Sequence, residues 1–530
     1  MPYPYRNVRD WLADEEKLGN VVHIKKPIKC GDYNNIVDLG NDVPGKQPET
    51  WIRATNRYLH SLPGKPIGIV ENPVNNRPDI PLVLNPWPSR ERALRGLGVQ
   101  TKEEFCQKLE RLKEVRVKPT IVSKKDAPCK ENIISENEID LRKDIPRNWV
   151  EFNQMCWPLT NGTIVVYDPE QKTHDIGKCR IGVYDWQNDK PDQPPYPEDK
   201  VKQYMYATLV YGGVQASRAG KYYLEKYRNH GKPMPAAYFT GVPTDYHVVA
   251  AMRRTYYWPE TGDEYEALGG LRGEPVELVE TETIPGMMVP AEAEWIIEGE
   301  FLPEDETMPE YAEDIASGYM FGGEVCPIFR VKCITHRNNP IWMGTTHSSS
   351  GMNGHEGIHT GLIFLNVEVD AINHLRSLGF KVKDVVILDG GRNVAIIQLE
   401  VDGADKPMSH YGKQVMMALH GNPGISVGPG TKYIIAVGPD IDPYDFKDVC
   451  WALGTRTMPV SDSIFIEKGL TMWGDPGGWP DAWGWKAYGE QIRIDATIKV
   501  PERYDHYAPR SDPAEWEKEA VQRIKNLLEG

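Results

Sequence analysis

One stretch of the chain matches a sequence signature with a defined chemistry. Residues 355–359 have the order H-E-x-x-H, the spacing that puts two zinc-binding histidines on one face of a helix beside a catalytic glutamate. Here His355 and His359 follow SSSGMNG and flank Gly357, which favours a loop or a helix start. A candidate third ligand, Glu368, comes only nine residues after His359. A zinc hydrolase is therefore an alternative interpretation, and it requires a regular helix at this stretch.

Two further segments combine residue types that bind ligands. The segment 217–233 is aromatic as well as basic, and its cations could bind nucleotide phosphates or form a solvated helix face. The segment 472–485 is rich in tryptophan and could line a slot for an aromatic ring or pack in a core or interface. The side chains concerned are Lys221, Lys226, Arg228 and Lys232 in the first segment, and Trp473, Trp479, Trp483 and Trp485 in the second.

Bulk properties exclude several classes of protein. A chain of 530 residues is expected to form two or three domains, and a net charge of −15 argues against nucleic acid as the main partner. The eight cysteines include no C-x-x-C pair, so we expect reduced, buried thiols rather than a zinc or redox site. The N-terminus lacks the apolar core of a signal peptide, and no stretch reaches the ~20 apolar residues of a membrane span. We expect a cytoplasmic protein without a membrane partner.

The elements that must position such residues follow from local patterns. Helices are predicted at 7–19 and at 102–115, where Thr101 can serve as the cap, and a proline-punctuated connector is predicted at 119–146. The region from about 147 to 345 is rich in strand patterns, which suggests a barrel-like sheet. A helical pattern at 360–378 leads to a final α/β unit with strands at 384–389, 394–401 and 432–438.

Four motifs in order along the chain resemble the UbiD family of decarboxylases. They are PCKENIISENEIDL (128–141), VPAEAEWIIEGE (289–300), VKCITHRNNPI (331–341) and PDIDPYDFKDVCWALGTR (439–456). The resemblance implies an α/β (α+β) fold in four parts. These are an N-terminal α/β region (1–118), a split-β-barrel domain that binds prenylated FMN (119–345), a linker helix region (346–380) and a C-terminal α/β oligomerisation domain with a tail (381–530).

The resemblance also implies a cofactor and its ligands. The family holds prenylated FMN through a divalent cation, Mn²⁺ or Mg²⁺, in some cases with K⁺, and the matching positions here are Asp175, Arg180 and Glu264. Asp175 and Glu264 are the expected metal ligands, since carboxylates suit hard cations. The family's third ligand, a histidine, has no match. Lys221, Tyr222 and Arg218 stand nearest to its position, while His230 lies too close to Gly231 to substitute easily.

The same resemblance assigns the proton chemistry to Glu310, in the sequence M-P-E, with Arg180 as its partner. A second acid is expected five residues later, where an ungapped match gives Ile315, with Asp314 one residue away. In the branch that acts on phenolic acids, to which M-P-E is closer, a histidine contacts the substrate, which makes His355 and His359 candidates. The implied reaction is reversible, non-oxidative decarboxylation of an aromatic carboxylic acid through a covalent adduct with prenylated FMN.

Several alternatives stay open at the level of sequence. The substrate is a free aromatic acid or an aromatic acyl-CoA such as phthaloyl-CoA, with CO₂ as the second product, and the chain could also be an inactive structural paralogue. The modified flavin requires a flavin prenyltransferase in the cell. We expect a homodimer or homohexamer formed through the C-terminal unit, in which the amphipathic helix at 513–528 packs on a neighbour.

Overall fold

A computed structural model describes residues 3–30, 51–146, 156–158, 162–179, 181–184, 198–207, 218–252, 262–303, 307–313, 320–344, 360–388, 393–402, 410–422, 427, 430–470, 478–480, 486–499 and 515–529. Among these residues, no helix combines the length and the apolar character that a bilayer crossing requires.

The N-terminal region alternates helices with short strands. Its helices are α1 (Val8–Lys17), α2 (Trp51–Ser61), α3 (Arg90–Gly96), α4 (Lys102–Glu110) and α5 (Leu141–Asp144). Its strands are β1 (Val21–Ile24), β2 (Ile28–Lys29), β3 (Ile67–Val70), β4 (Pro73–Val74), β5 (Leu82–Leu84), β6 (Thr120–Ile121) and β7 (Asn132–Ser135).

Side-chain caps set the start of both predicted N-terminal helices. Asn7 and Asp10 form a reciprocal capping box at the start of α1. Thr101 caps α4 by accepting from the backbone of Glu104, as the sequence predicts. The α-helix ends at Glu110 and continues as a 3₁₀ turn to Lys113, so the prediction of 102–115 is slightly too long.

The central region is built mainly of strands. They are β8 (Cys156–Pro158), β9 (Thr163–Asp168), β10 (Thr173–Gly177), β11 (Ile181–Tyr184), β12 (Tyr204–Ala207), β13 (Met234–Thr240), β14 (Glu277–Glu280), β15 (Met288–Pro290), β16 (Trp295–Phe301), β17 (Thr307–Glu313), β18 (Met320–His336) and β19 (Trp342–Met343). The helices between them are α6 (Glu198–Gln203), α7 (Arg218–Tyr222), α8 (Thr244–Ala251) and α9 (Glu264–Arg272).

Most central strands belong to one ten-stranded sheet. Its main order is β10-β9-β13-β16-β18-β12-β11-β8, and β7 and β17 also pair with the long strand β18. Because β10 stands at the edge, its outer backbone groups must find partners other than a strand. The strand β19 instead joins β1, β3 and β5 of the N-terminal region, so the two regions interleave at this point.

The C-terminal region is an α/β unit connected by a long helix. Its helices are α10 (Leu365–Ser377), α11 (Tyr411–His420), α12 (Phe446–Arg456) and α13 (Glu515–Glu529). Its strands are β20 (Val382–Ile387), β21 (Val394–Leu399), β22 (Tyr433–Val437), β23 (Ser463–Leu470), β24 (Trp479–Pro480) and β25 (Lys486–Ala496), in the order β20-β21-β22-β25-β23 with β24 beside β25. The predicted helix at 360–378 and the three predicted strands are confirmed within a few residues.

The hydrophobic core crosses the region boundaries. One cluster joins Trp11 of α1 and Phe105 of α4 to Tyr265 of α9, and it continues to Ile387 and Ile434 of the C-terminal sheet. A second cluster, which includes Trp295 and Phe329, fills the other side of the central sheet. The helices α8 and α9 are therefore fixed from several directions, and they in turn position the candidate site.

Candidate active site

Acidic residues at the start of α9 accept hydrogen bonds from the outer backbone N–H groups of the edge strand β10. The backbone N–H of His174 donates to Asp263 (N to Oδ2, 2.8 Å), and the backbone N–H of Ile176, two residues on, donates to the carboxylate of Glu264. Alternate residues of a strand point their backbone groups the same way. The two successive outer N–H groups of β10 therefore donate to Asp263, the N-cap of α9, and to Glu264, its first residue. Asp175 lies between these two donors.

Asp263 organises this junction. Its Oδ1 accepts from the backbone of Tyr265 (2.8 Å) and caps α9, while its Oδ2 accepts from Nδ1 of His174 (2.8 Å). Although burial acts to raise it, the hydrogen bonds from His174 lower the pKa of Asp263. Nε2 of His174 accepts from the backbone N–H of Met288 (3.1 Å). Because both ring nitrogens are engaged, His174 supports the junction and is not a metal ligand.

The two predicted metal ligands belong to the two segments that meet at this junction. Asp175 is 5% exposed and Glu264 is 2% exposed, and Glu264 binds the backbone of the residue that follows Asp175. A carboxylate has two oxygens and about four lone-pair sites, so Glu264 can accept this bond and also coordinate a cation. Two buried carboxylates fit Mn²⁺ or Mg²⁺, which would take its other ligands from water or a phosphate. In the described ranges, no three acidic, histidine or cysteine side chains gather to hold a metal by themselves.

Arg218, one of the three residues nearest in sequence to the missing histidine, contacts both segments of this junction. Its guanidinium donates to the backbone oxygen of Gly262 (3.2 Å), to Oγ1 of Thr173 (3.1 Å) and to the hydroxyl of Tyr222 (2.8 Å). It thus bridges the segments that carry Glu264 and Asp175. A permanently charged guanidinium has no lone pair to offer a metal, so Arg218 is a clamp and not a replacement ligand.

Other residues of the basic segment face carboxylates or solvent. Lys226 forms ion pairs with Asp168 (2.9 Å) and Glu170 (3.3 Å) at the end of β9. Lys221, Arg228 and Lys232 are exposed, as is His230. The engagement of Lys226 with two carboxylates weakens the interpretation of this segment as a phosphate-binding surface.

The backbone of Glu310 lies at an irregular point of the β17–β18 pair. Glu310 pairs with Glu324, and the register shifts directly after it, between Glu310 and Tyr311. Such bulges redirect side chains and are common beside active sites. The side chain of Glu310 lies outside the described part of the structure, as do Arg180, Asp314, His355 and His359.

The structure also assigns a role to Glu368, the third ligand that a zinc site at 355–359 would need. Its buried carboxylate pairs with Arg90 (2.7 Å) and with Lys102 (2.9 Å), and it accepts from the backbone of Ile387 (2.7 Å). These bonds satisfy the carboxylate with two cations, so Glu368 is a structural anchor. The zinc alternative loses its candidate third ligand.

Two pairs in this site were missed at the sequence level. One is Asp263 with His174, for which the only local signal is an aspartate before a helical pattern. The other is Lys178 with His247 of α8, whose side chains are in contact although they stand 69 positions apart. Hydrogen bonds between such distant residues depend on tertiary packing, so no local sequence pattern predicts them.

Comparison with known proteins agrees with this architecture. The model of the 3-octaprenyl-4-hydroxybenzoate carboxy-lyase (UbiD) Rift-related domain matches residues 120–350, and the model of the C-terminal domain of the same family matches residues 362–496. The phenolic acid decarboxylase of Sedimentibacter hydroxybenzoicus is 25% identical over 540 aligned positions, which cover 99% of this chain and 98% of that protein.

Solved structures show the same fold. The vanillic acid decarboxylase of Sedimentibacter hydroxybenzoicus in its open form matches with a TM-score of 0.75 and 24% identity, over 99% of this chain and 100% of that one. An evolved dimeric form of the UbiD-class enzyme HmfF from Pelotomaculum thermopropionicum, in complex with prFMN, matches with a TM-score of 0.72 and 22% identity, over 96% and 97% of the two chains. The mixed α/β fold expected from the sequence is thereby confirmed.

Proposed function

Because the chain belongs to the UbiD family of carboxy-lyases, we propose that it catalyses the reversible, non-oxidative decarboxylation of an aromatic carboxylic acid with prenylated FMN. The observation that supports this proposal is the junction of β10 and α9, where Asp175 and Glu264 are both buried and the carboxylate of Glu264 accepts from the backbone N–H of Ile176, the residue after Asp175. The prFMN complex of a protein with the same fold supports the choice of cofactor.

The proposed roles of the side chains follow from their chemistry. Asp175 and Glu264 would hold the divalent cation that neutralises the charge of the flavin phosphate, and Arg218 keeps their two segments together. When bound, prenylated FMN supplies the electron sink for cleavage of the carbon–carbon bond. Arg180 binds the departing carboxylate, and Glu310 returns a proton to the ring carbon that has lost CO₂. Asp314, His355 and His359 remain candidates for the second acid and for contact with the substrate.

We favour a free phenolic acid as the substrate. Relatives named for phenolic and vanillic acid decarboxylation align over nearly the whole chain. An aromatic acyl-CoA is the second candidate, but the basic segment that would bind its phosphates includes Lys226, which is paired with two carboxylates.

A mass measurement on the released cofactor tests this proposal. The protein is produced with and without a flavin prenyltransferase under anaerobic conditions, and the mass and absorbance of the released small molecule are determined. We expect prenylated FMN in the first sample only, together with Mn²⁺ or Mg²⁺. Protein that releases no flavin from either sample, with zinc bound in stoichiometric amount, would overturn the proposal.

A further inference from the structure

A lysine in the D-I-G-K-C-R segment has an unusual set of partners. Lys178 lies three residues after Asp175 and two before Arg180. Its Nζ donates to the backbone oxygen of Gly162 (3.1 Å) and contacts Nδ1 of His247. In the part of the chain that the structure describes, Lys178 has no carboxylate partner. Both of its partners are neutral acceptors, which stabilise an ammonium less than a carboxylate does.

The surroundings favour the neutral amine. Lys178 keeps some exposure, but loss of hydration lowers its pKa to about 7, against a weak opposing effect of the Cys179 thiol. His247 is buried against the ring of Trp87, with the ring centres 4.6 Å apart. Burial and the positive charge of Lys178 together hold the pKa of His247 well below its usual value. A substantial share of Lys178 is therefore an uncharged nucleophile at neutral pH.

We propose that Lys178 is a carbon dioxide-binding residue that reversibly forms a carbamate. Its amine lone pair attacks the carbon of CO₂, a C–N bond forms, and one C=O electron pair moves onto oxygen. The proton that the nitrogen loses passes first to Nδ1 of His247 and then to water, so the step needs no oxidant or reductant. The inference rests on the proposed function for the source of CO₂, which a carboxy-lyase releases or consumes near this segment.

The hydrogen bond to His247 makes the transfer of the proton favourable. While Lys178 is an ammonium, its charge is one of the causes that keep the imidazole neutral. Conversion to a carbamate replaces this positive charge by a negative one and makes Nδ1 a better base at the moment when the proton must leave. The carbamate also changes the charge two residues before Arg180 in the sequence, and we expect it to slow decarboxylation when CO₂ accumulates.

Chemical trapping tests the inference without any assay of activity. The full-length protein is equilibrated with ¹³C-labelled bicarbonate at about pH 8, where more of the amine is neutral, and is alkylated with a trialkyloxonium salt before peptide mass mapping. We expect a trapped carboxyl group on Lys178. Lys226 and Lys332, which pair with Asp168 (2.9 Å) and Glu300 (2.6 Å), serve as internal controls and should remain unmodified.

Two variants test whether the trapped carboxyl group depends on Lys178 and His247. Lys178→Arg keeps a cation but cannot form a carbamate, so the signal should vanish, and His247→Phe removes the proton acceptor and should weaken it severalfold. An unlabelled Lys178 at saturating bicarbonate, or equal labelling of Lys178, Lys226 and Lys332, would overturn the inference. The assay uses neither flavin nor aromatic acid, so labelling of Lys178 in a protein that releases no flavin would count against the proposed function alone.

Discussion

At the residue scale, the proposed metal site depends on one aspartate that is not itself a ligand. Asp263 uses one oxygen to cap α9 and the other to hold His174 of β10. It thereby fixes Glu264, the first residue of the helix, against the backbone of Ile176, the residue after Asp175. Partners of this kind orient metal ligands, and their loss weakens metal binding even when the ligands themselves are intact.

The variant Asp263→Asn tests this arrangement. Asparagine has one carbonyl oxygen and cannot accept from both the helix and His174, so the affinity for Mn²⁺ should fall by about 10- to 100-fold. Calorimetric titration of the full-length protein with Mn²⁺ measures the change. The control is Asp445→Asn, which alters a surface aspartate that caps α12 through Lys447 (2.9 Å). Equal affinities for Mn²⁺ in both variants would show that Asp263 does not orient the site.

The sequence offered candidate ligands for this site but no sign of the residues that support them. Asp175 and Glu264 were proposed from the spacing of family motifs, and the structure brings Glu264 to the backbone of Ile176, the residue after Asp175. Asp263 and His174 lie 89 positions apart, and Lys178 and His247 lie 69 apart. Such pairs form because α8 and α9 pack against the edge of a sheet. The sequence of any one of these segments does not predict that packing.

At the element scale, a buried glutamate anchors the linker helix α10 to three other elements. Glu368 is fully buried and contacts Arg90 of α3, Lys102 of α4 and the backbone of Ile387 in β20. The side chain of Glu368 thus connects α10 to the N-terminal region through α3 and α4, and to the C-terminal sheet through β20. Removing one partner of such a cluster leaves charges buried without compensation.

We therefore expect Glu368→Ala to be strongly destabilising. Arg90 loses its partner Glu368 in the buried interior, while Lys102 keeps Asp384 (2.8 Å), and the free energy of unfolding should fall by about 3–5 kcal/mol, as measured by urea denaturation. The control is Glu110→Ala, which removes an exposed pair with Lys113 and should cost about 0–1 kcal/mol. Similar losses in the two variants would contradict the role given to Glu368.

His23 makes the N-terminal region sensitive to pH. Its Nε2 lies 2.9 Å from Glu16 and its Nδ1 lies 2.8 Å from Glu71, so both bonds to carboxylates require the imidazolium. Partial burial acts to lower the pKa of His23, but the hydrogen bonds to Glu71 and Glu16 raise it overall. A raised pKa stabilises the fold fully below the unfolded value of about 6.5, and this contribution disappears as the pH rises through the folded value.

The variant His23→Gln should remove this dependence. The melting temperature of the wild type should exceed that of the variant at about pH 5.5, and the gap should shrink toward about pH 8. His230→Gln, at an exposed histidine, is the control. A gap that stays constant or widens with rising pH would contradict the assignment.

Element boundaries were more predictable than strand partners. The helical patterns at 7–19 and 360–378 and the predicted cap at Thr101 located α1, α10 and α4 to within a few residues. The sequence did not indicate that β19 would join the N-terminal sheet or that β6 and β7 would form inside the connector at 119–146. Short strands carry little periodic signal, and their partners lie far along the chain.

At the scale of the whole molecule, exposed apolar side chains concentrate in the C-terminal region. Among the described residues they include Phe446, Met458, Val460 and Phe465, and the helix α13 adds Val521, Ile524, Leu527 and Leu528. The spacing of the last four puts them on one face of the helix. Exposed apolar side chains favour association, and we propose that the protein forms a homo-oligomer through this region.

Substitution of the apolar face of α13 tests the assembly. Ile524→Glu combined with Leu528→Glu should shift the protein toward the monomer in sedimentation velocity at micromolar concentration, because charged groups resist burial. The control pair, Gln522→Glu with Asn526→Glu, changes polar exposed positions of the same helix and should leave the oligomer intact. A wild-type protein that sediments as a monomer would contradict the expected oligomer.

The most direct test of the central claim is the fate of the ring carbon that loses CO₂. The enzyme loaded with prenylated FMN is incubated with phenolic acids in D₂O, and the products are examined by NMR and mass spectrometry. We expect CO₂ release with one deuterium at the former carboxyl position, and loss of this activity in Glu264→Gln but not in Glu266→Gln, a neighbour on the same helix turn. Flavin-loaded protein that leaves every aromatic acid and thioester unchanged, and incorporates no label from ¹³CO₂ into the corresponding phenols, would contradict the account.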